Sequence, residues 1–384
     1  MTSVALLSHR FGNIGHSFMA LGAEEIVRAA FGADVQITHF EQHHPFSIYP
    51  RGDWLSLVDR IPHGRLRWLR RRLAREEVFT TLWPRTKPLP FDLAVACGGP
   101  NLVPGASGRG APELRILLHH FNGAFHHHGV PLVDAGVGSA FPLSRVPEAL
   151  DPDDAAFYTT ALSYLACLTV RDTQAQRIFR QLGADPPILP CMAIASGRAF
   201  EAVRDAHGPG AEDKAIVINF QAKGSNTDWG QGVDADWWMD EVRGVIADLR
   251  AMGERIVLLC HAIPEQRLAQ QLAPDLPAML RESEAEYVRI IAGANVGFVS
   301  RIHAAVALAG IGVPSVVVGN DTRTGTTAEM GLPSLFTRET SRVAIVEALR
   351  QLMGRLDEER ERLIALREAT IDAYAKLFID HARS

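Results

Sequence analysis

The sequence predicts an α/β protein with two Rossmann-like domains facing each other across a cleft and helices at the C-terminus. Three observations predict it. Short apolar runs alternate with amphipathic helical stretches from Val4 onward, the pattern of parallel strands covered on both faces. The alternation stops over residues 183–213, which carry several Gly and Pro, and restarts at Ala215. The chain has 384 residues, long for a single core. The domains are therefore expected over residues 1–190 and 191–384, the second carrying the helical tail.

Val4 to Ser8 reads as a strand, Gly12-Asn13-Ile14-Gly15 as a glycine loop, and Ser17 to Phe31 as a helix. Val35 to Phe40 is the next strand. Residues 41–60 lack periodicity. Leu66, Leu69 and Leu73 then share a helical face surrounded by Arg65, Arg67, Arg70, Arg71, Arg72 and Arg75. That helix reads either as a solvated face or as a peripheral contact with an anionic membrane. Asp92 to Cys97 is a strand ending in Gly98-Gly99-Pro100, a helix carries Leu114, Leu117, Leu118 and Phe121, and Val130 to Gly136 is another strand. A helix over about residues 151–164 leads to the strand Leu165 to Val170, then Arg171-Asp172 and a helix to Leu182. In the second half, Ala215 to Phe220 and Ile256 to Cys260 are strands flanking a helix over residues 235–252. Residues 284–293 read as a short strand or helix, and the chain from about residue 341 is helical.

Four cysteines without close pairing give no metal or disulfide pattern. Cys97, Cys167 and Cys260 sit in apolar runs and are expected to be buried thiols. The net charge of −5 makes no general case for nucleic acid. No signal segment is evident at Met1-Thr2-Ser3, and no apolar stretch reaches the roughly 18 residues of a membrane helix. The cytoplasm is the expected compartment. His119, His120, His126, His127 and His128 cluster in sequence, but neighbours on a helix point apart, so packing or solvation is expected over metal binding. Trp229, Trp237 and Trp238 could stack on a sugar, but packing in the core or on the surface is expected instead.

The chemistry concentrates at Ser300-Arg301-Ile302-His303, between the apolar run Val296 to Val299 and the helix-like Ala304 to Ala309. Ser300 is expected to cap that helix, with Arg301 and His303 in its first turn. Free N–H groups, the positive dipole end and an arginine suit a phosphate or carboxylate. Ligands of doubly wound sheets sit beyond the carboxyl ends of strands. Arg171, Lys223, His261, Arg301, His303 and Arg323 are cations at such ends, and Asn13 and His16 lie in the first glycine loop. The set suits a small substrate with two anionic groups. No P-loop, dinucleotide fingerprint, nucleophile elbow or H-E-x-x-H motif is present.

Several of these pieces resemble the polysaccharide pyruvyl transferase family: Gly12-Asn13-Ile14-Gly15, Gly98-Gly99, Gly136-Val137-Gly138, Val170-Arg171-Asp172 with Leu182-Gly183, and His261 with Glu265. The fullest match is Ser300 to Ala304 running on through Val313-Pro314 and Arg323 to Gly331-Leu332. The resemblance spans roughly residues 5–335 and departs from the family at His16, Pro100, Cys191, Lys223 and Arg323. It implies a GT-B-like fold and an enzyme that moves the pyruvyl group of phosphoenolpyruvate onto two hydroxyls of a sugar, releasing phosphate. No cofactor or metal is implied. The acceptor would be a sugar or a lipid-linked sugar bound by the first domain, with the donor held by the second. Arginines fit carboxylate and phosphate bidentately. His303 suits the acid that protonates C3 or the leaving phosphate, with Arg301 holding the anion. Arg171 is a further carboxylate ligand in this scheme, or else belongs to a salt bridge with Asp172 or to a helix cap. Two rivals are a nucleotide-sugar glycosyltransferase of the same architecture, with Glu329 on a ribose, and a non-catalytic binding protein.

Overall fold

The computed structural model describes residues 1–8, 14–41, 47–49, 83, 86–108, 114, 116–206, 214–224, 230–280 and 283–383. Strands β1 (Ser3–Ser8), β2 (Gln36–Glu41), β3 (Leu93–Cys97), β4 (Leu132–Val137) and β5 (Cys167–Val170) form a parallel sheet in the order β2-β1-β3-β4-β5. Strands β6 (Ala215–Asn219), β7 (Arg255–Cys260), β8 (Ala278–Leu280), β9 (Ala294–Val299), β10 (Ser315–Gly319) and β11 (Ser334–Phe336) form a second one, in the order β11-β10-β9-β6-β7-β8.

Both faces of each sheet carry a core because the central strands, such as β1, β3, β4, β6, β9 and β10, are largely apolar and buried. In β1, Ala5 and Leu7 enter a core with Phe121 and Phe125, while Val4 and Leu6 enter the opposite one with Ile26 and Val95. Helices α1 (Ile14–Phe31), α2 (Pro152–Leu162) and α3 (Thr173–Gln181) belong to the first half, and α4 (Ala235–Ala251), α5 (Ile263–Leu272), α6 (Glu284–Ala292) and α7 (Ile302–Gly310) to the second. Asp151, Asp172 and Asp234 cap α2, α3 and α4 by accepting the N–H three residues on, each worth about 1 kcal/mol. Residues 284–292 are helix, resolving that ambiguity. Strand order reverses between β1 and β3 in one sheet and between β6 and β9 in the other. Those are the crevices where such folds bind ligands.

The division at residue 190 fails for the tail. Helices α8 (Thr324–Glu329) and α9 (Arg342–Met353) stay with the second sheet, but α10 (Leu356–His381) crosses back. Its Leu363 packs in the second domain, whereas Ile371, Tyr374 and Phe378 complete the core beside Val4 and Leu6. The Arg383 N–H then donates to the Asp92 carbonyl at 3.0 Å. The cause is a continuous buried stripe with helical spacing, Leu363, Arg367, Thr370, Ile371, Tyr374 and Phe378. The charged residues around it conceal this stripe in the sequence. In return, Ile14, Phe18 and Met19 of α1 pack with Tyr287 and Val288 of the second domain. Cys167 is half-buried rather than buried.

Candidate functional site

The two crevices open on one cavity of about 210 Å³ between the domains. His16 lines it from the first turn of α1, Pro100 from the loop after β3, and Arg171 from the end of β5. Ser300, Arg301, Ile302 and His303 line it from the junction of β9 and α7, with Asp321 and Arg323 following β10. Five of the predicted cations and imidazoles, His16, Arg171, Arg301, His303 and Arg323, thus meet although up to 307 positions of sequence separate them.

The three arginines differ in what neutralises them. Arg301 is spoken for: its Nε donates to Glu265 Oε1 at 2.7 Å and its Nη2 to the same oxygen. Glu265 also accepts the His261 N–H at 2.7 Å and the side-chain amides of Asn219 and Gln221 at 3.3 Å. It ties the ends of β6 and β7 to the R-I-H turn, the physical content of the His261…Glu265 spacing. Arg323 is paired in the same way, with Nε 2.8 Å from Asp321 Oδ1 and Nη2 on Oδ2. Among the described residues no carboxylate hydrogen-bonds to Arg171, although its charge acts on the adjacent Asp172. Arg171 is 1% exposed, its Nη1 meets only the Cys191 thiol at 3.4 Å, and its Nε has no partner. Its neighbour Asp172 is occupied, accepting from Ala175 N, Ser139 N and Ser139 Oγ at 2.7 to 2.9 Å. Of the two alternatives to a ligand role, the helix cap is therefore the one the fold adopts, through Asp172. Gly138 makes room for the guanidinium, since a Cβ there would stand 2.4 Å from Nε.

His303 is half-buried beside this charge, and its Nε2 is buried without a hydrogen-bond partner. Burial above all, then the charges of Arg171, His16, His261 and Arg323, holds its pKa well below the ordinary histidine value. The ring is neutral at pH 7 in the unliganded protein, and a bound dianion would raise its proton affinity. Gly15 packs on it so closely that a Cβ would fall 2.5 Å from the ring. The His16 and His303 rings meet edge to face with centroids 5.8 Å apart.

Three expectations need correction. Ser300 does not cap α7: Arg301 occupies the N-cap position without a side-chain cap, and Ser300 Oγ is buried without a partner. The Ser300 backbone is drawn to the Asn219 carbonyl at 2.8 Å instead, which places Ser300 at the end of the sheet. His261 does not reach the cavity; its Nε2 sits 2.7 Å from the Tyr287 hydroxyl, and burial with the Arg301 charge pushes its pKa down to about 3. Lys223 is not among the lining residues, and its carbonyl accepts from Asn320 Nδ2. Glu329 takes a hydrogen bond from Thr173 across the domain boundary, an alternative to the ribose contact. Asn13, the Arg65 to Arg75 segment and Trp229 lie outside the described residues. His119 and His120 are packed, the former stacked on Phe157 at 4.4 Å. Trp238 is buried with its indole N–H on the Gln221 carbonyl. Among the described residues no group of three or more His, Cys, Asp or Glu is arranged to hold a metal, and no helix is long and apolar enough to cross a membrane.

Asp321 and the Cys191 contact went unrecognised in the sequence. Asp321 had a signal, two residues before Arg323 at the end of an apolar strand.

No protein-family model and no curated protein sequence matches the chain. Solved structures do. A UDP-GlcNAc 2-epimerase from Neisseria meningitidis bound to UDP-GlcNAc aligns with TM-score 0.56 at 10% identity, covering 98% of this chain and 99% of that one. A putative UDP-N-acetylglucosamine 2-epimerase from Listeria monocytogenes gives 0.54 at 10% identity over 100% and 98%. The UDP-GlcNAc 2-epimerase of Methanocaldococcus jannaschii gives 0.51 at 10% over 92% and 93%. At this identity the likeness establishes the fold: two Rossmann-like domains over the whole chain, as the strand pattern predicted.

Proposed function

We propose that the chain is a transferase that binds phosphoenolpyruvate in the interdomain cavity and moves its pyruvyl group onto a sugar or lipid-linked sugar. The observation that carries this is Arg171, a buried guanidinium with an unpartnered Nε on the cavity wall. A buried charge without a counterion is held at a cost of several kcal/mol, which a bound carboxylate or phosphate relieves. The order of motifs around it supports the pyruvyl transferase resemblance. About 210 Å³ falls below the roughly 300 to 1,000 Å³ of sites for larger ligands and suits a compact dianion. Binding brings that dianion beside neutral His303 and raises its pKa, so the donor itself loads the acid that protonates C3. Arg171 holds the anion in this scheme, and Arg301 and Arg323 adjust to it from their carboxylates. A cytoplasmic location and a membrane contact through Arg65 to Arg75 belong to the same proposal, since lipid-linked acceptors lie at that surface.

One finding favours a second reading, an enzyme acting on a nucleoside-diphosphate sugar. The solved structures with this fold include UDP-GlcNAc 2-epimerases, two of them bound to UDP-GlcNAc. Thermal shift separates the two. Stabilisation by phosphoenolpyruvate but not UDP or GDP, with phosphate release in the presence of sugar acceptors, is the expected result. Stabilisation by UDP or GDP alone replaces the first reading with the second.

A further inference from the structure

We propose that Cys191 is the positioning residue of the anion site: its thiol accepts from Arg171 and fixes the guanidinium on the cavity wall without neutralising it. The proposal rests on the anion-binding part of the function proposed above and says what keeps that charge available.

Backbone pairing brings the two residues together. Val170, the last residue of β5, donates its N–H to the Pro187 carbonyl at 3.0 Å and accepts from the Leu189 N–H at 2.8 Å. The chain thus runs parallel to the end of β5, with Ile188 opposite Val170. Just beyond, Cys191 stands beside Arg171, whose Nη1 donates to Cys191 Sγ at 3.4 Å. Cys191 cannot easily drift from there. Its carbonyl accepts the Ile194 N–H at 3.0 Å, opening a short helical turn over Met192–Ala195. The Tyr374 hydroxyl of α10 donates to the carbonyl of the preceding Pro190 at 3.2 Å. Ile14, Phe18 and Met19 of α1 share a buried cluster with Cys191, which is 3% exposed.

The chemistry of the partner is what matters. A thiol is a weak acceptor, so it can orient an N–H while bringing no full charge. A carboxylate in its place would form the strong charge-assisted pair that arginine favours and would compete with any bound anion. That is the condition of the other two arginines on the wall, Arg301 on Glu265 and Arg323 on Asp321. On the Nε edge of Arg171 the neighbour is Gly138, which has no side chain to offer a bond. Asp172, next in sequence, gives its oxygens to Ser139 and the α3 N-terminus. The guanidinium is therefore held by one corner, and its other donors are left for a phosphate or carboxylate.

The test pairs calorimetric binding of inorganic phosphate with thermal melting of the unliganded protein. Cys191→Asn and Cys191→Asp introduce side chains of equal size that differ in charge. The Asp variant should bind phosphate about 10-fold or more weakly than the Asn variant, yet melt a few degrees higher, because Arg171 gains a counterion. A residue that merely filled the core would lower both quantities together. Cys191→Ser and Cys191→Ala form a smaller pair that decides the matter if the longer side chains prevent folding. Ser keeps an acceptor and should stay within about threefold of wild type in phosphate affinity, whereas Ala should lose about fivefold or more. Equal affinities within either pair, or a lower melting temperature for Asp than for Asn, overturn the role of Cys191 and leave the anion site standing. No phosphate binding by the wild type overturns the anion site and this proposal with it. The expected pattern in a protein that releases no phosphate from phosphoenolpyruvate supports Cys191 in this role and removes pyruvyl transfer alone.

Discussion

Gly15→Ala should leave the protein folded and disable it. The residue is the second of α1, and its φ lies outside the left-handed region, so alanine meets no backbone strain. Alanine is the better helix former by up to about 1 kcal/mol. Its methyl group, however, would stand 2.5 Å from both Cβ and Nδ1 of His303, whereas ordinary contact begins near 3.4 Å. The ring must retreat by about 1 Å, a displacement on the order that loses about 10²-fold in rate when a reacting group moves. Overpacking costs roughly 1 to 3 kcal/mol, partly offset by helix propensity, so net stability should fall by no more than about 2 kcal/mol. Urea unfolding and phosphate-release kinetics on the same preparation measure the two effects separately. If kcat stays within about fivefold of wild type while His303→Asn abolishes turnover, then the start of α1 yields rather than the ring. The argument that glycine is kept at this position for the sake of His303 is then wrong.

Arg171→Met should remove most stabilisation by phosphoenolpyruvate or phosphate, a loss of about 2 to 3 kcal/mol in binding. Thermal melts of the unliganded variant should match or exceed wild type, because an unpaired buried charge is removed. Glu265→Gln should act in the opposite sense, destabilising the unliganded protein by about 3 kcal/mol in chemical unfolding, since it strips the partner from mostly buried Arg301. His303 has a folded pKa well below its unfolded one, so the unfolded chain binds the extra proton and stability drops as pH falls below about 6.5. The stability gap between wild type and His303→Asn should therefore narrow by about 1.4 kcal/mol per pH unit in that range, read from urea midpoints. Asp134 is buried with Oδ1 unpartnered, and burial raises its pKa to about 7. A folded pKa raised above 3.8 makes its contribution decline as pH climbs to about 7. Asp134→Asn should accordingly gain relative stability by about 1.4 kcal/mol per unit over that interval and none above it.

The sheets were legible because continuous apolar runs and helical spacing are local signals. Each strand end that carried a glycine loop or a cation could be placed from its own neighbours. The meeting of His16, Arg171 and His303 followed from one further rule, that ligands gather at the carboxyl ends of parallel strands. What stayed hidden depends on contacts between distant positions. Nothing in Ser300-Arg301-Ile302-His303 reveals that Arg301 is bound to Glu265, 36 residues earlier, or that Asn219 draws the Ser300 backbone into the sheet. The α10 crossover was masked because charged residues surround its buried stripe, and a stripe does not say which core it joins. The same limit ranks the arginines. In sequence Arg301 looks like the stronger anion ligand, since it opens a helix, and Arg171 looks paired with its neighbour. In the fold the acids are distributed the other way: Glu265 takes Arg301, Asp321 takes Arg323, and the Asp172 carboxylate turns to Ser139 and the α3 N-terminus. Only tertiary structure decides which cation is left without a carboxylate hydrogen bond, and the proposed anion site rests on that cation. The Arg171 and Glu265 variants therefore test that distribution of acids directly, one by removing the unpaired cation and the other by making a second.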